Sequence, residues 1–154
     1  MENRQVKFNN KTNLLQLEEH MYHLVENPTA NVFRNLFPYT EVPRIAFNDR
    51  VVTEIGDRAF YNLSAIVEIV IPDTIQIIGD YAFSGTSITA INLPEGLTTL
   101  GSNAFASCRL LAGELVIPDG VTEIPEKAFA FCGQLTSIKF GSAVEAIGPN
   151  AFTD

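Results

Sequence analysis

The chain has 154 residues and a formal net charge of −8, with only 10 lysines and arginines. That balance excludes nucleic acid and anionic membrane as partners, because both need basic patches. A hydrophobic fraction of 46% against 18% charged residues supplies the core of one folded domain. No run approaches the ~18 apolar residues that would cross a bilayer.

Residues 1–11 are polar and are expected to fray. From Asn13 to Val25 the apolar positions Leu14, Leu17, Met21, Leu24 and Val25 fall at helical spacing, with Asn13 and Gln16 placed as a capping box. This predicts an amphipathic helix. Pro28 opens a second short helix through Val32, Phe33, Leu36 and Phe37, ended by Pro38. Residues 1–43 are thus read as an N-terminal helical cap over the exposed end of the region that begins at residue 44. His20 and His23 lie three apart in it, but a zinc site needs three or four convergent ligands and no further histidine is present. Met1-Glu2-Asn3-Arg4-Gln5 precedes no apolar signal-peptide core. The chain is therefore read as cytosolic, or as a fragment of an exported protein that lacks its export signal.

From residue 44 to 154 one shape returns about five times. Ile55-Gly56-Asp57-Arg58-Ala59-Phe60 is matched by Ile78-Gly79-Asp80-Tyr81-Ala82-Phe83, Leu100-Gly101-Ser102-Asn103-Ala104-Phe105, Ile124-Pro125-Glu126-Lys127-Ala128-Phe129 and Ile147-Gly148-Pro149-Asn150-Ala151-Phe152. The steps are 23, 22, 24 and 23 residues, a period in the solenoid range. Between the Ala-Phe pairs run two short apolar segments. The first reads Ile45-Ala46-Phe47, Ile69-Val70-Ile71, Ile91-Asn92-Leu93, Leu115-Val116-Ile117 and Ile138-Lys139-Phe140. Its outer residues are large and apolar and its middle one varies, which predicts five strands with one buried face. Pro72, Pro94 and Pro118 end three of them and open turns. The second segment places two apolar residues three apart, as in Val52 and Ile55 or Val121 and Ile124. That predicts a short extended stretch with a bend, then a turn supplied by glycine in four repeats and by Pro125 in the other. The alanine and phenylalanine columns are where coil packs on coil.

These residues carry a resemblance. The pattern is similar to the leucine-rich repeats of the BspA type, whose consensus resembles Cys-x-x-Leu-x-x-Ile-x-Ile-Pro followed by Val-x-x-Ile-Gly-x-x-Ala-Phe. Cys132, Leu135, Ile138 and Phe140 match it, as do Ile71-Pro72 with Ile75 and Ile78-Gly79, and Ile117-Pro118 with Val121 and Ile124. The departures are Pro125 in place of glycine, Phe140-Gly141 in place of Ile-Pro, and an extra Gly113. The resemblance implies a right-handed leucine-rich-repeat solenoid of mixed α/β class with one parallel β-sheet. It implies a non-catalytic protein-binding or adhesion module of a bacterial surface or secreted protein. A cytosolic interaction scaffold is the alternative.

No nucleophile elbow, phosphate loop, dinucleotide fingerprint or zinc-type cysteine pair is present. Glu68 and Glu114 share an exposed strand position two coils apart, roughly 9–10 Å by strand spacing, which leaves a carbohydrate-active enzyme as a further alternative. No aromatic platform flanks them. Asp73, Glu95 and Asp119 form an acidic column at the turns, which turn propensity explains without calcium. No cofactor or metal is implied. Cys108 and Cys132 share a core column with Leu63 and Thr86, and adjacent coils would bring their Cα atoms to roughly 5 Å, where a disulfide is possible.

A protein ligand is expected on the strand face, where the variable residues point to solvent. The outward columns are Arg44, Glu68, Ala90, Glu114 and Ser137, beside Ala46, Val70, Asn92, Val116 and Lys139. Glu68, Val70, Asn92, Glu114, Val116 and Lys139 are the residues expected to meet the partner. Val144, Ile147 and Phe152 lack a following coil in this sequence, so self-association through that end is also expected.

Overall fold

A computed structural model describes residues 53–64, 66–71 and 73–154, together with the backbone course of three earlier strands. Those strands are β1 (Val6–Asn9), β2 (Leu14–Leu17) and β3 (Arg44–Phe47). Eight more complete the set: β4 (Glu54–Ile55), β5 (Glu68–Val70), β6 (Ile77–Ile78), β7 (Thr99–Leu100), β8 (Ala112–Val116), β9 (Glu123–Ile124), β10 (Gln134–Lys139) and β11 (Ala146–Ile147). The coils stack through three rows of hydrogen bonds with the apolar side chains between them.

The first row is the main sheet. β1 pairs antiparallel with β2, β2 pairs parallel with β3, and β3 pairs parallel with β5. The register sets Leu15 beside Ile45 and Ile45 beside Ile69. Leu14–Leu17 therefore extends the strand row and is not helical. A short run with apolar residues at 14, 15 and 17 satisfies both helical and strand spacing, and the waiting edge of β3 decides between them. The rest of the expected Asn13–Val25 helix, the helix from Pro28, and His20 and His23 lie outside the described residues. Among the described residues no helix is long and apolar enough to cross a membrane.

Further along, β8 pairs parallel with β10, with a slip between Leu135 and Ser137. Four of the five expected strand segments are strands, but Ile91-Asn92-Leu93 is not. Thr89 holds both neighbours, its N–H donating to Val67 O at 3.1 Å and its carbonyl accepting from Ala112 N at 3.0 Å. Beyond it the next coil carries the extra Gly113, at φ +85°, so its chain falls out of step with Ala90–Leu93. Ile91 and Leu93 accordingly sit only half-buried.

The second row joins β4 to β6 and β6 to β7, then β9 to β11, all parallel. Gly79 N donates to Ile55 O at 2.8 Å, Gly101 N to Ile78 O at 2.7 Å and Gly148 N to Ile124 O at 2.6 Å. Pro125 has no N–H to donate at the matching place, and the row breaks between β7 and β9. The glycines here do not serve as left-handed turns. At Gly79, Gly101 and Gly148 the backbone of the preceding coil occupies the space a Cβ would need.

The third row is a column of turns. Phe60 N donates to Ala82 O at 2.7 Å, Phe83 N to Ala104 O at 2.7 Å, Phe105 N to Ala128 O at 2.8 Å and Phe129 N to Ala151 O at 2.8 Å. Alternate residues close their own turns three residues back, as Ala59 N does to Gly56 O at 3.2 Å. Aiming successive amides this way puts Arg58, Tyr81, Asn103, Lys127 and Asn150 at φ between 55° and 58°. Carboxylates complete the row: Asp57 Oδ1 accepts from Asp80 N and Asp80 Oδ1 from Ser102 N, each at 2.8 Å.

Between the rows lies the core. Ala59, Ala82, Ala104 and Ala128 are fully buried, as are Phe60, Phe83 and Phe105. Successive rings of Phe60, Phe83, Phe105, Phe129 and Phe152 stack nearly parallel, 5.2, 5.1, 5.3 and 5.6 Å apart. Beside them Cys108 and Cys132 are buried free thiols. Cys108 Sγ donates to Phe83 O and Cys132 Sγ to Phe105 O, both at 3.1 Å, while Thr86 Oγ1 also donates to Phe83 O at 2.9 Å. The polar side chains of this column, Thr86, Cys108 and Cys132, thus bond to carbonyls in the core. Burial pushes the Cys108 thiol up to about 11. Burial and the neighbouring Cys108 push Cys132 to about 12.

Candidate partner-binding face

On β5, in the main sheet, and on β8, in the separate two-stranded sheet it forms with β10, the strand alternation sorts side chains cleanly. Ile69 and Leu115 point inward and are buried, at 5% and 1% exposure, whereas Val70 and Val116 on the same strands are 47% and 48% exposed. Glu68, Glu114, Asn92 and Lys139 are exposed too. The β8–β10 register sets Glu114 beside Ser137 and Val116 beside Lys139, and the β3–β5 register sets Arg44 beside Glu68 and Ala46 beside Val70. All six residues expected on the strand face therefore lie on outward positions. They form two patches, Glu68 with Val70 and Glu114 with Val116 and Lys139, separated by the unpaired segment that carries Asn92.

The face is acidic. Glu68, Asp73, Glu95 and Glu114 are exposed, against Lys139 as the one exposed base of the outward columns among the described residues. Asp119, in the turn after β8, has a structural task, its Oδ1 accepting from Ser142 N at 2.8 Å. Among the described residues no three His, Cys, Asp or Glu side chains come together as a metal site would require.

Sequence reading missed one feature of this face. Because Ala90–Leu93 does not pair with β5, a groove of about 610 Å³ opens there, lined by Glu68, Ile69, Val70, Ile71, Asp73 and the chain from Thr89 to Asn92. The one signal pointing to it was the extra residue at Gly113, which upsets the register one coil away.

Comparison with known proteins agrees with this architecture. The chain is similar in structure to a leucine rich cell surface protein from Faecalibacterium prausnitzii, with a TM-score of 0.51 and 25% identity over 76% of this chain. It spans 40% of that protein's length. It also resembles in fold a leucine rich repeat protein from T. pallidum, with a TM-score of 0.50 and 16% identity, covering 94% of this chain and 82% of that one. No curated protein matches the sequence significantly. The family model for the BspA type leucine rich repeat region matches residues 30–154 in 6 copies. With that match covering most of the residues and the coil-by-coil ladders following its period, the chain belongs to the BspA type leucine rich repeat family.

Proposed function

We propose that the chain is a non-catalytic protein-binding module of a bacterial surface or secreted protein, and that it meets its partner along the strand face. The observation that carries this reading is the near half-exposure of Val70 and Val116 on strands whose inward side chains, Ile69 and Leu115, belong to the core. Exposed β-branched residues flanked by single charges give a partner apolar contact and orientation together. The family membership and the surface-protein relative support the same reading, the latter for a protein of which this chain spans less than half.

Photo-cross-linking side chains placed singly at Asn92 and Val116 test it, with controls at Thr99 and Glu123 on the second row. The strand-face probes should capture a surface or secreted partner that the controls do not. Capture from the controls alone would move the site to another side of the stack.

A second reading concerns the last coil. Ile147 and Phe140 are 54% and 44% exposed, while Ile124 and Ile117 one coil earlier are buried. Two copies of this chain pairing through that face would cover them. Sedimentation velocity over a wide concentration range should show a dimer, and a monomer throughout would remove this reading.

A further inference from the structure

The groove beside β5 has the features of a place for one more strand. β5 ends the row β1-β2-β3-β5, so its far edge faces the groove. No backbone hydrogen bond joins Ile69–Ile71 to Ala90–Leu93, and the amides of Ile91 and Asn92 donate to no carbonyl among the described residues. An open strand edge is a template for another extended chain. The opening is bounded at both ends, by Thr89 N on Val67 O at 3.1 Å and by Thr98 N on Gln76 O at 2.9 Å. Its volume of about 610 Å³ lies within the roughly 300–1,000 Å³ of binding clefts. Ile69, Ile71 and Ile91 supply an apolar lining.

Charge selects the occupant. Asp73 lies on the groove, with exposed Glu95 and Glu114 on the coils beyond it, and Lys139 is the one exposed base of the outward strand columns among the described residues. We propose that the groove is a strand-addition site for an extended, lysine- or arginine-bearing segment of a protein partner. The segment lies along β5, exchanging backbone hydrogen bonds with its outer edge and with the amides of Ile91 and Asn92. Its cationic side chains meet Asp73 and the neighbouring carboxylates. This inference rests on the strand-face reading above and adds what kind of partner segment that face takes.

The probe is a fluorescein-labelled hexapeptide, Thr-Lys-Val-Lys-Val-Thr, followed by anisotropy. It is compared with versions N-methylated at both valines or at both lysines, and with the version carrying glutamate for lysine. The lysine peptide should bind. One N-methylated version should bind about tenfold more weakly, because the donors on one edge are gone. The glutamate peptide should be weaker still, and Asp73→Asn should narrow the gap between the two charges. Asn92→Pro, which deletes an amide that serves no internal bond, should weaken the lysine peptide while the melting temperature holds. If that variant misfolds, the amide resonances of Ile91 and Asn92 in the unaltered chain report instead, and they should move on adding peptide. Equal binding of every N-methylated version, or still resonances, overturns strand addition. If the lysine peptide fails to bind while the cross-linking probes at Asn92 and Val116 still capture a protein, only strand addition falls and a folded surface is the occupant. A dimer of the chain that Asn92→Pro abolishes would instead assign the groove to a second copy, and would equally overturn the proposal.

Discussion

Phe105 shows how much a single column position carries. Its ring is fully buried and stacked at 5.1 Å on Phe83 and 5.3 Å on Phe129, so truncation leaves a void that neither neighbour can close without breaking its own stack. Phe105→Ala should cost about 3–5 kcal/mol in chemical denaturation, and a loss under about 1 kcal/mol would mean the column is not the core. The thiols beside it make stability depend on alkaline pH. In the unfolded chain they titrate near 9.0, while in the fold Cys108 is held at about 11 and Cys132 at about 12. The unfolded state therefore releases protons first, and their contribution is intact below pH 9 and is lost as pH climbs towards 11. At pH 10 the loss is on the order of 1 kcal/mol per thiol. Replacing both cysteines by alanine should flatten the fall in denaturation midpoint between about pH 8 and pH 10, and an unchanged slope would assign that fall to other groups. The core columns were legible because burial leaves one side-chain size acceptable at each step. The left-handed residues were not, since Arg58, Tyr81 and Lys127 carry no compositional mark of a positive φ.

At the level of elements, the hydrogen-bond rows explain which repeat residues are interchangeable. Gly101 has no Cβ because Asp80 N and the Gly79 carbonyl stand where one would go, and these are backbone atoms fixed by the row itself. Gly101→Ala should therefore destabilise by about 1–3 kcal/mol although the position demands no positive φ, and a neutral result in thermal melts would show the coils to be less tightly apposed. Pro125 stands at the equivalent place where, without an N–H to donate, the row breaks between β7 and β9. The strand at β5 and those at β8 and β10 could be read from alternation alone. Ile91-Asn92-Leu93 alternates just as well yet remains unpaired, because pairing depends on the length of the next coil as much as on the segment's own pattern. Leu14–Leu17 errs the other way: its spacing suited a helix, and the edge of β3 made it a strand.

For the molecule as a whole, stacking on a period of 22 to 24 residues turns a one-dimensional repeat into a surface whose columns vary independently of the core. The outward placement of the six strand-face residues came from period-two alternation. The split of that face into two patches around a groove did not, since it arises from one inserted residue acting across a coil boundary. The acidic balance disfavours polyanions here, and in the proposed reading the exposed Val70 and Val116 supply the apolar contact. Both side chains are already half in water, so lysine at each leaves the core untouched. The most direct measurement is the affinity of the Val70→Lys/Val116→Lys double variant for the protein captured through the strand-face probes. The double variant should keep its fold by circular dichroism and lose at least about tenfold in affinity. A folded double variant that binds that protein as tightly as the unaltered chain would contradict binding along the strand face.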